Sequence, residues 1–130
     1  MDWYYPVLCS VLVGTAADRR LASAWNAFVM PGLGVRCVSD EPWVTAAETA
    51  ECALAHAVAG DKATAIDLLT WTRAHRHADG SYWTGIVYPE GVHFPAGERT
   101  AYTGAAVILA ADTISATSAA SGIFTATDGA

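Results

Sequence analysis

The sequence predicts an all-α protein of about five helices, and three observations predict it. Alanine, the strongest helix former, fills 27 of the 130 positions. Val, Ile and Thr are present but rarely alternate with polar residues in the period of two that marks a half-buried strand. Apolar residues recur instead at helical spacing: Leu21, Trp25, Phe28 and Val29 stand at i, i+4, i+7 and i+8, one stripe of an amphipathic helix. Hydrophobic residues make up 53% of the chain and charged ones 15%, which is ample apolar surface to offset the entropy of ordering and excludes disorder as the main state. The length fits one domain.

The first helix is expected over roughly 3–14, with Asp2 as N-cap and Gly14 at its end. The second runs over roughly 17–30 and stops at Pro31-Gly32. The third has the strongest start: Ser39-Asp40-Glu41-Pro42 supplies a capping side chain, acid in the first turn and Pro near the first position. It continues through Trp43 to about Ala59 and ends at Gly60. The fourth runs from Asp61 to His77, where Arg73, His75, Arg76 and His77 complement the helix dipole. The fifth, from about Glu98 to Ile114, is apolar almost all round and is expected to be buried on most sides. Between the last two lies a loop from Asp79 to Gly97 holding Tyr82, Trp83, Tyr88, His93 and Phe94; loops that long in a small domain tend to be functional. The domain is read as 1–115, with 116–130 as a flexible tail carrying a lone Ile123-Phe124.

The net charge of −6 and the single Lys exclude a phosphate-tracking nucleic-acid surface. No apolar run approaches the ~20 residues of a membrane span. The apolar run at Val7–Val13 lacks the basic flank of a signal peptide. Cys9, Cys37 and Cys52 are an odd number, so no self-contained disulfide framework is expected and a reduced, cytoplasmic setting fits best. Thr45, Glu48, Cys52 and His56 share one helix face. Glu48 with Cys52, or Cys52 with His56, is spaced to give two ligands to one ion. Eight residues span ~12 Å of helix, too far for all of them, and the favoured reading is that they line a polar groove between packed helices or satisfy loop backbone. Neither a metal nor a cofactor is expected.

Three of the expected helices open on an acid followed by aromatics: Asp2-Trp3-Tyr4-Tyr5, Asp40-Glu41-Pro42-Trp43 and Glu98-Arg99-Thr100-Ala101-Tyr102. They alternate with more amphipathic helices, as in a curved double layer of helix pairs. Arg76-His77-Ala78-Asp79-Gly80-Ser81-Tyr82-Trp83 resembles the end of the QW-type repeat of squalene–hopene and related cyclases. Glu98 to Ala106 resembles the inner helix that follows such a repeat. Over residues 2 to 115 the chain is similar to prenyltransferase-like members of the terpenoid cyclase and protein prenyltransferase superfamily. The resemblance implies an α/α-toroid-like layer of helix hairpins, here a partial toroid equivalent to a C-terminal half. The Asp-rich cyclase motif is absent, because only Glu48, Thr49 and Ala50 of Thr45–Ala50 line up, and no zinc-binding His stands near Arg99. Neither chemistry transfers.

In such a layer the helix starts gather at one end and form an aromatic-walled acidic cavity. Trp3, Tyr4, Trp43, Trp83, Tyr88, Arg99 and Tyr102 are the candidate ligand-binding residues. Glu41, Glu48 and Glu98 are the candidate catalytic carboxylates, able to work as general acid and base if burial separates their pKa values; Asp2, Asp40, Glu41 and Glu98 are equally explained as acids at helix starts. Aromatic walls suit an isoprenoid chain or carbocation, and equally the faces of a sugar. The leading expectation is an isoprenoid or other apolar small-molecule ligand. The alternatives are a carbohydrate-active toroid enzyme of glycosidase or epimerase type, and a non-catalytic helical fragment acting by association. Open edges of a half toroid imply a homodimer or a missing N-terminal half.

Overall fold

A computed structural model of the chain describes residues 2–125. Five helices are present: α1 (Tyr5–Leu8), α2 (Thr15–Phe28), α3 (Ala46–Val58), α4 (Lys62–Trp71, continued as a 3-10 turn Thr72–His75) and α5 (Ala101–Ser115). Between them run five short strands: β1 (Val29–Met30), β2 (Gly34–Arg36), β3 (Trp43–Thr45), β4 (Gly85–Val87) and β5 (Val92–Phe94). They form one antiparallel sheet in the order β1-β2-β3-β4-β5.

The all-α expectation is therefore corrected to a mixed α and β fold, and the partial toroid falls with it. The physical reason lies in three segments. Val29-Met30 continues the second expected helix in sequence, but Pro31-Gly32 turns the chain back at once. Gly32 takes a φ of +81° and the Leu33 N–H donates to the Met30 carbonyl, a type II turn with Pro and Gly in their favoured places. Trp43-Val44-Thr45 lies inside the third expected helix, yet Val44 is fully buried between β2 and β4. The long loop expected from Asp79 to Gly97 holds the β4–β5 hairpin. The first expected helix shrinks to four residues, Tyr5–Leu8. The fifth is exposed along one face, at Tyr102, Ile108 and Leu109, and is not buried on most sides.

Helix α3 is the axis of the molecule. It packs against α1, α4, α5 and β2, and nine of its thirteen residues are buried. β3 runs straight into it, so sheet and helix share a joint. There the Val35 N–H donates to the Thr49 hydroxyl at 2.8 Å, and that hydroxyl donates to the Thr45 carbonyl at 2.7 Å. A side chain at Gly34 would collide with Thr49 and Val44. At the far end His56 Nδ1 donates to Asp61 Oδ2 at 3.1 Å, while Asp61 caps α4 through the Thr64 N–H. Residues 116–125 follow α5 as turns, with Phe124 half-buried against the core and its carbonyl accepting from the Ser10 hydroxyl. The remainder of the expected tail, 126–130, lies outside the described residues. Among the described residues no helix is long and apolar enough to cross a membrane.

Two measurements test this packing. Gly85 lies directly under the ring of Phe94, so Gly85→Ala is expected to push Phe94 off the sheet and cost about 1–3 kcal/mol in urea unfolding. His75 is fully buried, and burial pushes its pKa down to about 4 against the opposing pull of the Trp83 backbone. An unfolded imidazole takes its proton near ~6.5, so between these values the unfolded state binds more protons and stability falls as pH falls. The expected loss from pH 7 to pH 4 is about 3 kcal/mol. His75→Leu should flatten that dependence in urea titrations at a series of pH values.

Candidate functional site

Helix geometry sets the candidate site on α3. Glu48 and Glu51 are three residues apart, so both face the same flank, toward α1 and α5. From α1 and the turn before it, the Tyr4 hydroxyl donates to Glu51 Oε2 at 2.8 Å and the Tyr5 hydroxyl to the same oxygen at 3.2 Å. From α5, the Tyr102 hydroxyl donates to Glu51 Oε1. Three phenols thus converge on one half-buried carboxylate. Glu48, in the first turn of α3, accepts from the Thr45 hydroxyl.

The electrostatics follow from this crowding. Burial first, and then the charge of Glu51, raise Tyr4 far above the ordinary phenol range. Tyr102 is raised mainly by its bond to Glu51, and Tyr5 mainly by burial. All three phenols therefore remain protonated donors at any working pH. The cage opens onto a groove of about 370 Å³ whose other walls are apolar, chiefly Leu8, Leu54, Leu109 and Phe124. A carboxylate, phenolic donors and an apolar wall together fit a ligand that carries hydroxyls on one side and carbon on the other.

A second cluster stands on the rim of the sheet. Arg99 Nη1 donates to Asp79 Oδ2 at 2.6 Å and Ser81 Oγ at 2.8 Å, and His77 Nδ1 lies 3.0 Å from it. Its guanidinium lies 5.0 Å from the Trp83 ring centroid, and His93 stacks on Trp83 at 4.3 Å. Ser81's hydroxyl and N–H, followed by Arg99, hold the Asp79 carboxyl well below the usual range. Trp83 is packed against both Arg99 and His93, and this knot ties the hairpin to the start of α5. The stretch that resembled a cyclase repeat is this knot, closed by the bridge between Arg76 and Tyr82.

The sequence-derived site residues thus fall in four places. Tyr4 and Tyr102 meet at the cage through Glu51, and Glu48 lies one turn earlier on α3, bonded to Thr45. Trp83, Arg99 and Glu98 lie at the sheet rim, where Glu98 accepts from the Thr84 hydroxyl at 3.0 Å. Trp43 packs on Phe94 at 5.7 Å on the sheet, Tyr88 follows at the hairpin turn, and Glu41 is exposed before β3. Trp3 is in the core, stacked on Phe28 at 6.0 Å. Glu51 and Tyr5 were missed. The sequence signal for Glu51 is its place three residues after Glu48 on the same helix face, away from the helix start. Cys52 is buried and its thiol is raised by burial. Among the described residues no three His, Cys, Asp or Glu side chains converge as a metal-holding group.

No protein-family description matches the chain. It is similar to the MMP endo-(1,4)-3-O-methyl-alpha-D-mannosidase of Mycolicibacterium hassiacum, with 52% identity over 128 residues, 98% of this chain. The chain spans about a third of that protein's length, 35%. A likeness this close to a mannosidase, together with the five-stranded sheet, overturns the resemblance to terpenoid cyclases and prenyltransferases, along with the squalene-cyclase repeat and the all-α description attached to it.

Proposed function

We propose that this chain supplies a substrate-binding and acid–base site of a glycoside hydrolase acting on alpha-linked mannose chains that bear 3-O-methyl groups. The observation that carries the reading is Glu51, held by three tyrosine hydroxyls at the mouth of an apolar-walled groove. The likeness to a mannosidase supplies the substrate class. Of the two readings of aromatic residues beside acids, sugar and isoprenoid, these observations favour the sugar.

In this reading Glu51 faces the scissile bond and works in proton transfer or in stabilising the positive charge that develops on the sugar ring. Its oxygens are pre-positioned from two sides, by α1 and by α5, so little reorganisation is needed when substrate arrives. Glu48 stands one turn earlier and provides the second carboxylate of this flank. Tyr5 and Tyr102 line the groove beside Glu51 and orient the ring. Leu8, Leu54, Leu109 and Phe124 take the methyl ether, which burying removes from water at a gain of about 1 kcal/mol for the methyl carbon. An unmethylated sugar would leave that wall unfilled.

The test uses the intact protein that contains this sequence, with 3-O-methylated and unmethylated alpha-(1,4)-mannose oligosaccharides, and product analysis by chromatography. The methylated substrate is expected to be cut preferentially. Glu51→Gln, which keeps size and shape, should lower kcat by roughly 10²–10⁴-fold with the fold intact by circular dichroism. Undiminished turnover in Glu51→Gln would remove Glu51 from the chemistry. Inertness of the wild-type protein toward both oligosaccharides would overturn the reading as a whole.

A further inference from the structure

The groove between α2 and α4 carries chemistry that the Glu51 site does not use. It has a volume of about 580 Å³ and is lined by Asp18, Trp25 and Asn26 of α2, by Asp61 and Thr64 at the start of α4, and by His56 of α3. His56 stands five residues after Glu51, roughly 140° further around the helix. The groove therefore opens on another flank of α3 from the tyrosine cage.

His56 is 6% exposed. Its Nδ1–H donates to Asp61, which leaves the lone pair on Nε2, and that nitrogen has no partner. Burial keeps the imidazole neutral by lowering its pKa. A buried acceptor left unpaired is rare in folded proteins and calls for an explanation. Trp25, half-buried, packs nearly perpendicular to the imidazole at 5.4 Å and forms the adjoining wall.

The lining decides the ligand class. Two carboxylates, an amide, a hydroxyl and the Nε2 lone pair are mostly acceptors, which suits a molecule rich in O–H donors. No Lys or Arg lines the groove, so an anion would meet repulsion from Asp18 and Asp61. Among the described residues no third ligand joins His56 and Asp61 to hold a metal. An aromatic wall beside polar acceptors complements a ring that is carbon on its face and hydroxylated on its edge.

We infer that this groove is a second carbohydrate-binding site, taking one neutral pyranose unit. One sugar hydroxyl donates to His56 Nε2 once the Trp25 side chain turns off the imidazole. Asp18 and Asn26 take neighbouring hydroxyls, and Trp25 covers the ring's C–H face. The inference rests on the groove's own chemistry and stands apart from the hydrolytic reading of Glu51.

The experiment is an NMR titration of the protein with methyl alpha-D-mannoside, following the His56 side-chain nitrogens and the indole N–H of Trp25. Saturable shifts at both residues with a millimolar midpoint are expected. Asp18→Ala and Asn26→Ala, both at exposed positions of α2, should each weaken binding up to about tenfold, the worth of one hydrogen bond. Glu51→Gln should leave these shifts unchanged while hydrolysis is lost, so failure of one site is distinguishable from failure of the other. The inference is overturned if His56 and Trp25 do not respond to the sugar, if only Tyr5 and Tyr102 respond, or if tetramethylammonium reproduces the shifts and the sugar does not.

Discussion

The burial of α3 is the constraint on which the rest of the structure depends. A helix enclosed by other helices on several sides and by a sheet at one end must be thin, because side-chain bulk sets how closely backbones approach. Five of its nine buried residues are alanine, and the remaining bulk is placed where a neighbour recedes. The same enclosure makes an unpaired polar group on α3 costly. Thr49 bonds to Val35 and to its own helix, Glu51 is met by tyrosines, and His56 is met by Asp61. The polar residues of one buried helix thereby stitch together the sheet, α1, α5 and α4.

That arrangement also gives the candidate site its rigidity. Glu51 sits on the least mobile kind of element, a packed helix, while its donors come from two different segments. A carboxylate so placed holds its position when a ligand arrives, and the groove beside it is shaped by side chains from α1, α3 and α5 together. The sheet-rim cluster is built on another principle. Its centre, Arg99, spends its donors on Asp79 and Ser81 of the neighbouring loop. Arg20 likewise donates to the carbonyls of Asp2 and Trp3, anchoring the N-terminal turn over α2. In a chain with seven Lys and Arg residues, committing cations to such internal ties leaves the two grooves beside α3 without a basic residue in their walls. Neutral ligands fit that charge pattern better than phosphorylated ones.

Helices were legible in the sequence because their signals are local. The Asp61 cap and the stripe of α2 lie in short segments, and α2 and α4 begin within a few positions of where those signals point, whereas the cap expected at Ser39-Asp40-Glu41-Pro42 precedes β3 and α3 starts only at Ala46. Strands of two and three residues leave no period to read. Val44 becomes a strand residue because β2 lies on one side of it and β4 on the other, and β4 is supplied by residues some forty positions later. The same limit acted on function. Aromatics beside acids predict a gathering at helix starts; in the structure Tyr4 and Tyr102 meet at Glu51 on α3, while Trp3, Trp43 and Trp83 lie in other parts of the fold.

By itself the sequence determined where most of the helical segments lie and the acidic, apolar composition of the chain. These follow from composition and from patterns that span one helical turn. The tertiary structure decided the sheet, the removal of Trp3 to the core, the engagement of Trp83 with Arg99 and His93, and the convergence of three phenols on Glu51. Each of these depends on contacts between different segments of the chain, which no pattern within one helical turn contains.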